Sequence, residues 1–541
     1  MNSAIYSRIY QSKKRFSHIQ RALSAIVLIA YSAVAQAQAP AGARGSSQGS
    51  AGALPSLGDN SELSAAKERR LGDRIALSLY RDPDYIDDPV LDDYLQGIWQ
   101  PLLAAARARG ELAAELDERF AWQVFLIRDR SINAFALPGG YFGVNLGLIA
   151  TVDSVDEMAA VLAHELSHVT QRHISRLMTQ QSRQTPWMIA AMLLGILASS
   201  KNPQAGSAAV LGGQALAVQG QLNFSRDMER EADRVGFGVM TDAGYGSRGV
   251  SSMFEKLQQA SRLNDNGLFP YLRSHPLTTE RIAEARARVQ LASMAAPDAK
   301  ALALKPPDDS AAMLHAMMAA RARILALPGV DVLRTLVADA QRQDGPVQAT
   351  ARNAGALYAG ALAAAQLRDF ASAKRLLARL MPLTADRTRA GSAAGLLAIE
   401  IDLLEGKVSP SATSADIGKA ASRAELLLQA RSLLAAGRAG EVSQALQTQV
   451  AGHPQDAAAW QTLAVAYGQQ NQPVRAIRAD AESRAAQLDY AGALDRLKAA
   501  QGLMRSSKAN ADYVEGSIID TRARQITLIL NEQALQEKID R

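Results

Sequence analysis

The chain has 541 residues, 48% of them hydrophobic and 21% charged, a length that implies two to four domains and a balance that excludes wholesale disorder. Its formal charge of +6 makes no case for nucleic acid: residues 1–37 hold five basic side chains (Arg8, Lys13, Lys14, Arg15, Arg21) and no acid, and the remainder is close to neutral. Cysteine is absent, so this sequence can carry neither a disulfide nor a lipid-modified thiol.

Residues 1–37 read as a secretory signal peptide. A basic stretch ends at Arg21, the apolar run ALSAIVLIAYSAVA follows, and small residues surround Ala35-Gln36-Ala37. The run is about 14 residues, short of the roughly 20 a spanning helix needs, although the long basic region leaves an uncleaved anchor as the alternative. The form of the signal suits a bacterial periplasm. Residues 38–59, rich in Gly, Ala, Ser and Pro, read as a flexible linker.

A helix is expected next, with Leu63, Ala66, Leu71, Ile75 and Leu79 near one face. WQVFLI (122–127) predicts a strand, and NAFALPGGYFGVN (133–145) predicts two extended pieces joined at Pro138-Gly139-Gly140. A helix is expected from about 153 to 176, capped by Asp153 or Ser154. The apolar run 187–198 is only about 12 residues long, which suits a buried or interfacial helix better than a span. The glycines at 206, 212 and 213 argue in the same way against a span at 205–220. A charged helix is expected from about Ser225, and MAAPDAKALALKPPDD (294–309) marks a domain boundary.

Beyond it the chain is rich in Ala and Leu and contains paired helical segments. Residues 351–380 turn at Arg368-Asp369, and residues 424–450 turn at Gly437 to Gly440. Trp460, Leu463, Ala464, Tyr467 and Ala476 occupy five positions of the tetratricopeptide pattern. Helical repeats are therefore expected over 301–505, with an anonymous bundle as the alternative, and a helical tail over 506–541.

The chemistry concentrates in VLAHELSHVTQRH (161–173). On a continuous helix His164 and His168 lie about 40° apart and can face one ion from adjacent turns. Glu165 lies between them, placed to deprotonate a water. His173 would lie about 140° around from His168 and face elsewhere, as a surface or packing residue. Two imidazoles do not complete a site. SRDMEREADRVG (225–236) supplies Glu229 and Asp233, four apart on one helical face, with Glu231 pointing away. Glu229 can be the third ligand, and Asp233 can accept the other ring N–H of a histidine. Two His and one Glu with an open position is a catalytic zinc arrangement, with Glu231 as the rival ligand.

With HELSH followed by Glu229-x-x-x-Asp233, and with NAFALPGG before and EADRVG after, the sequence resembles the gluzincin peptidases of the HtpX and CAAX-prenyl-protease clan. It is most similar to the periplasmic metalloprotease–chaperones of that clan, which carry a tetratricopeptide tail. The resemblance covers residues 60–300 in motifs and order and 300–500 in architecture only. It implies an α+β zincin-like metallopeptidase domain over 60–300, mostly helical with a small sheet, followed by the all-α repeat domain. It implies one zinc ion per chain and a substrate paired with an edge strand in the 141–145 region. It also implies that His275, in RSHPLTTER (273–281), is a fourth ligand that latches the site; the residues alone read it as a loop histidine before Pro276. The partners it implies are unfolded or stalled outer-membrane proteins and the β-barrel assembly machinery, with assembly chaperoning through the repeat face as the non-proteolytic alternative. Residues 187–198 would cover the cleft, touch the membrane peripherally or pack on the domain. The sequence names no donor for the oxyanion.

Overall fold

The structure is a computed structural model and describes residues 63–180, 226–262, 271–295, 309–342, 348–386, 388–506 and 512–539. The expected signal and linker, the apolar run at 187–198, the 205–220 stretch and most of the break at 294–309 lie outside the described residues.

Helix α1 (Ala65–Tyr80) opens on Ser64, whose hydroxyl accepts from the Lys67 N–H, and buries Leu71, Ile75 and Leu79. After β1 (Tyr85–Ile86), α2 (Pro89–Ala108) starts with Asp88 as its cap and proline in the first turn. The short α3 (Ala114–Arg119) leads to β2 (Gln123–Ile127), β3 (Ala134–Leu137) and β4 (Tyr141–Asn145). The sheet order is β1-β2-β4-β3, parallel between β2 and β4 and antiparallel in both outer pairs. Gly139 and Gly140 turn β3 into β4 at φ 75° and 78°, a region that costs other residues steric strain. A Cβ on Gly140 would also lie 2.7 Å from that of Phe120.

This order corrects the expected substrate edge. The 141–145 strand is interior, because β2 pairs with it in parallel on one side and β3 covers the other. The sheet edge on that side is therefore β3, although Ala134 and Ala136 are themselves buried. The β3–β4 register makes Asn145 N–H donate to Asn133 O at 3.0 Å, so Phe135 and Leu137 direct their backbone groups at β4. By alternation Ala134 and Ala136 direct theirs outward.

From β4 the chain enters α4 (Leu146–Thr151) and then α5 (Val155–Thr170). Ser154 caps α5 by accepting from Glu157 N–H, and the Glu157 carboxylate accepts from Asp153 N–H. The helix expected to reach 176 is broken: α5 ends at Thr170, Arg172 sits at φ 55°, and α6 (His173–Gln180) starts afresh. Helices α7 (Arg226–Asp242) and α8 (Arg248–Arg262) pack on α5, followed by α9 (Tyr271–Ser274) and α10 (Thr279–Ala295). Gly236 lets α7 meet α5 backbone to backbone, since a Cβ there would stand 3.0 Å from Ala163 O and 3.1 Å from His164 N.

The remainder is helical: α11 (Asp309–Leu325), α12 (Val330–Gln341), α13 (Ala351–Gln366), α14 (Phe370–Thr384), α15 (Thr388–Glu405), α16 (Pro410–Ser414), α17 (Arg423–Ala435), α18 (Ala439–Gly452), α19 (Ala457–Gln469), α20 (Pro473–Ala486), α21 (Tyr490–Ser506) and α22 (Tyr513–Ile539). Tight hairpins join α13 to α14, α17 to α18 and α19 to α20, each turning through one left-handed residue: Arg368, Gly437 and Asn471. Trp460, Leu463 and Tyr467 are buried, and Ala464 and Ala476 pack against them.

One apolar core runs from Ala65 to Leu428 without interruption at the composition break. Helix α11 packs on α4, and His315 bridges Tyr94 Oη (2.7 Å) and Val152 O (2.9 Å). Two arginines fasten the later helices to the start of α2. Buried Arg321 forks onto Asp88 and Glu400. Arg423 binds Asp87, Asp92 and Asp456 at 3.0–3.3 Å. Among the described residues, no helix is long and apolar enough to cross a membrane.

Candidate metal centre

Helix α5 carries His164 and His168 on its inner face, α7 brings Glu229 to them through the Gly236 contact, and His275 arrives from the turn after α9. One donor atom from each of these four residues lies within 4.8 Å of the other three. His168 Nε2 is 3.0 Å from His164 Nε2, and His275 Nδ1 is 3.3 Å from His164 Nε2. Glu229 Oε1 is 3.5 Å from His168 Nε2 and 3.1 Å from His275 Nδ1, while its Oε2 is 3.4 Å from His164 Nε2. Ligands of a tetrahedral zinc at about 2.05 Å stand about 3.3 Å apart. The donor set therefore fits a single small cation of that geometry. Glu231 does not belong to this group.

The electrostatics favour the same occupant. Burial would lower the pKa of His164, but its hydrogen bonds to Asp233 and Glu229 raise it to about 10. The well that holds a proton there is one a divalent cation can occupy. Burial holds His168 well below the usual imidazole value, reinforced by His164. Burial would raise Glu229, but His275 and His164 hold it well below the carboxylate range.

The outer layer is dense. His164 Nδ1 is 3.0 Å from Asp233 Oδ1, the arrangement that fixes a ligand ring's tautomer. Arg281, on α10 and 4% exposed, forks onto Asp233 at 2.7 and 2.8 Å. Its Nη1 also lies 2.8 Å from Glu229 Oε2 and donates to Pro276 O at 2.8 Å. Arg281 thus ties Glu229 to the segment that carries His275. No local pattern announces it, 48 residues from Asp233.

Glu165 is 1% exposed and faces His275, with Oε1 3.4 Å from Nε2. Neither carboxylate oxygen has a hydrogen bond of ordinary geometry among the described residues. Burial pushes its pKa up, with His275 and His164 opposing and the outward Ala136 N–H of β3 also favouring the charged form. Tyr271, also buried, sets its ring centroid 4.6 Å from that of His275 at a tilt of 30°.

His173 corrects the sequence reading most directly. It is buried, with Nδ1 2.9 Å from His168 Nδ1 and Nε2 3.0 Å from Glu231 Oε2. The 140° offset assumed an unbroken helix; the left-handed Arg172 turns the chain and brings the ring back under His168.

Residues 94–289 match peptidase family M48. A protein of Vibrio cholerae serotype O1, provisionally named a beta-barrel assembly-enhancing protease, is 36% identical over 239 residues, 44% of this chain and 47% of that one. The beta-barrel assembly-enhancing protease of Escherichia coli K12 is 34% identical over 241 residues, again 44% and 47%. The mitochondrial metalloendopeptidase OMA1 of Arabidopsis thaliana is 31% identical over 195 residues, 36% of each chain. The matched region spans about half the length of the first two relatives.

Proposed function

We infer that residues 94–289, a peptidase family M48 domain, make this chain a zinc-dependent endopeptidase. The observation that carries the reading is the meeting of His164, His168 and Glu229 around one cation-sized space, with Glu165 beside it. Zinc held there supplies Lewis acidity to the scissile carbonyl and acidifies the attacking water. Glu165 takes the water's proton and delivers it to the leaving amine. Its burial with no hydrogen bond of ordinary geometry among the described residues suits a base that keeps acceptor capacity for water. Asp233 holds His164 in the tautomer that presents Nε2, and Arg281 holds Asp233. An extended substrate pairs with the outward groups of Ala134 and Ala136 on β3, which brings its backbone past Glu165.

His275 is the latch of this reading. Its Nδ1 takes the fourth position and its Nε2 faces Glu165, so it stands where a water and a carbonyl must enter. The enzyme is then latent until the segment around Pro276 leaves Arg281. That occupied position also favours the second reading, in which the chain works mainly as a chaperone or adaptor through its helical hairpins, read as tetratricopeptide repeats.

The leader at 1–37 supports export to the periplasm, and the relatives' names support substrates among outer-membrane β-barrel proteins under assembly. The domain plan proposed is signal, linker, peptidase to residue 300, repeats to 505 and a helical tail. Cleavage of an unfolded casein by the purified chain, stopped by a chelator and restored by zinc, tests the enzymatic reading. Cleavage indifferent to the chelator would refute it.

A further inference from the structure

We propose that His173 is a positioning residue for the metal centre, joining His168 to the Glu231 carboxylate through a second imidazole. The proposal rests on the zinc reading above and extends it to a residue outside the ligand set.

The two histidines of α5 are supported differently. His164 gives its Nδ1 directly to a buried carboxylate, Asp233, at 3.0 Å. The His168 Nδ1 instead meets another imidazole, His173 Nδ1, at 2.9 Å. Proton bookkeeping at that contact is determinate. A His168 that offers Nε2 to a metal carries its hydrogen on Nδ1, so His173 must accept at Nδ1. A neutral His173 then carries its own hydrogen on Nε2 and donates it to Glu231 Oε2, 3.0 Å away. One orientation satisfies these contacts: Glu231 accepts from His173, His173 accepts from His168, and His168 turns its Nε2 to the cation. The chain of bonds raises the donor strength of His168, as a carboxylate does for a directly paired ligand.

The backbone is arranged to make this contact. Arg172 occupies a left-handed conformation at φ 55°, which costs a non-glycine residue roughly 1 kcal/mol or more. Its guanidinium is fastened to the buried Glu68 carboxylate at 3.1 Å and to Ser175 Oγ at 3.2 Å. Glu231 in turn is held by Arg176 Nη1 at 2.8 Å. Thus α1, α6 and α7 each hold one part of the relay. A packing role alone would not require nitrogen-to-nitrogen contact at one ring edge and nitrogen-to-carboxylate contact at the other.

The test measures metal affinity of the full chain by chelator competition, with the absorption spectrum of the cobalt-substituted protein as a second readout of ligand geometry. His173→Leu removes both bonds and is expected to weaken zinc 10- to 100-fold and to shift the cobalt bands. His173→Gln can accept at Oε1 and donate from Nε2, and is expected to recover most of the loss. Equal affinity and spectrum in wild type and His173→Leu would overturn the proposal, as would a His173→Gln as weak as His173→Leu. Should His173→Leu fail to fold, Glu231→Gln at the partly exposed end of the relay decides: a loss of about threefold or more supports it, and unchanged affinity overturns it. A wild-type chain that binds no metal would instead remove the zinc reading itself, so the two failures are distinguishable.

Discussion

Glu165 and His275 carry separable roles, and each separates by substitution. Glu165 stands outside the proposed ligand set but faces the same space, 3.4 Å from His275 Nε2. Glu165→Gln is therefore expected to keep its zinc and lose cleavage by about 10²–10⁴-fold, the usual contribution of a general base; full activity on casein would remove it from that role. His275→Ala takes away the imidazole that stands between Glu165 and the ligand cluster. It is expected to raise casein cleavage, and unchanged or lower cleavage at full metal content would end the latch idea. His164 with His168, and Glu229 with Asp233, could each be paired from spacing, because helical period puts residues four apart on one face. His173 and Arg281 could not. The first depends on a backbone reversal at Arg172 that a periodic reading smooths over, and the second reaches Asp233 and Glu229 from a separate helix with no local signature.

At the scale of elements, strand existence was legible where strand order was not. WQVFLI and the pieces around Pro138-Gly139-Gly140 carry local turn and β-propensity signals, and β2, β3 and β4 form there. Which strand lies at the edge depends on the parallel pairing of β2 with β4, a contact between segments that no local pattern encodes. Moving the edge to β3 gives a test. Ala136 directs its N–H outward, so proline there removes no ladder bond to β4, as edge strands allow. Because the same N–H also faces Glu165, Ala136→Pro is expected to retain helical content and metal while raising KM for an extended peptide tenfold or more, with any effect on Glu165 read separately in kcat. A wild-type KM would show that substrate does not pair with this edge. The helical hairpins were legible for a related reason: a capping Asp at 369 and glycine at 437 punctuate strongly periodic runs.

For the whole molecule, the absence of a break in the core gives the two arginine clamps their weight. Arg321 is buried between Asp88 and Glu400, and Arg321→Ala would leave both carboxylates without their cation. A loss of about 3–5 kcal/mol is expected in denaturant unfolding, and a loss under 1 kcal/mol would show that the clamp is incidental. At the second clamp, burial pushes the Asp92 carboxyl up to about 6 although Arg423 pulls it down. Because the folded value exceeds the ordinary 3.8, the charged form opposes folding above pH 6, and that cost fades as the pH falls towards 4. Asp92→Asn is accordingly expected to raise the Tm at pH 8 and to lose this advantage on acidification; a lower Tm at pH 8 would mean that the Arg423 attraction outweighs burial. The whole account depends on α5 and α7 meeting so that residues 164, 168 and 229 share one ion. Elemental analysis of the purified full chain beside Glu229→Gln tests it most directly. About one zinc per wild-type chain and a sharp fall in the variant are predicted, whereas equal metal in both, or none in the wild type, would contradict it.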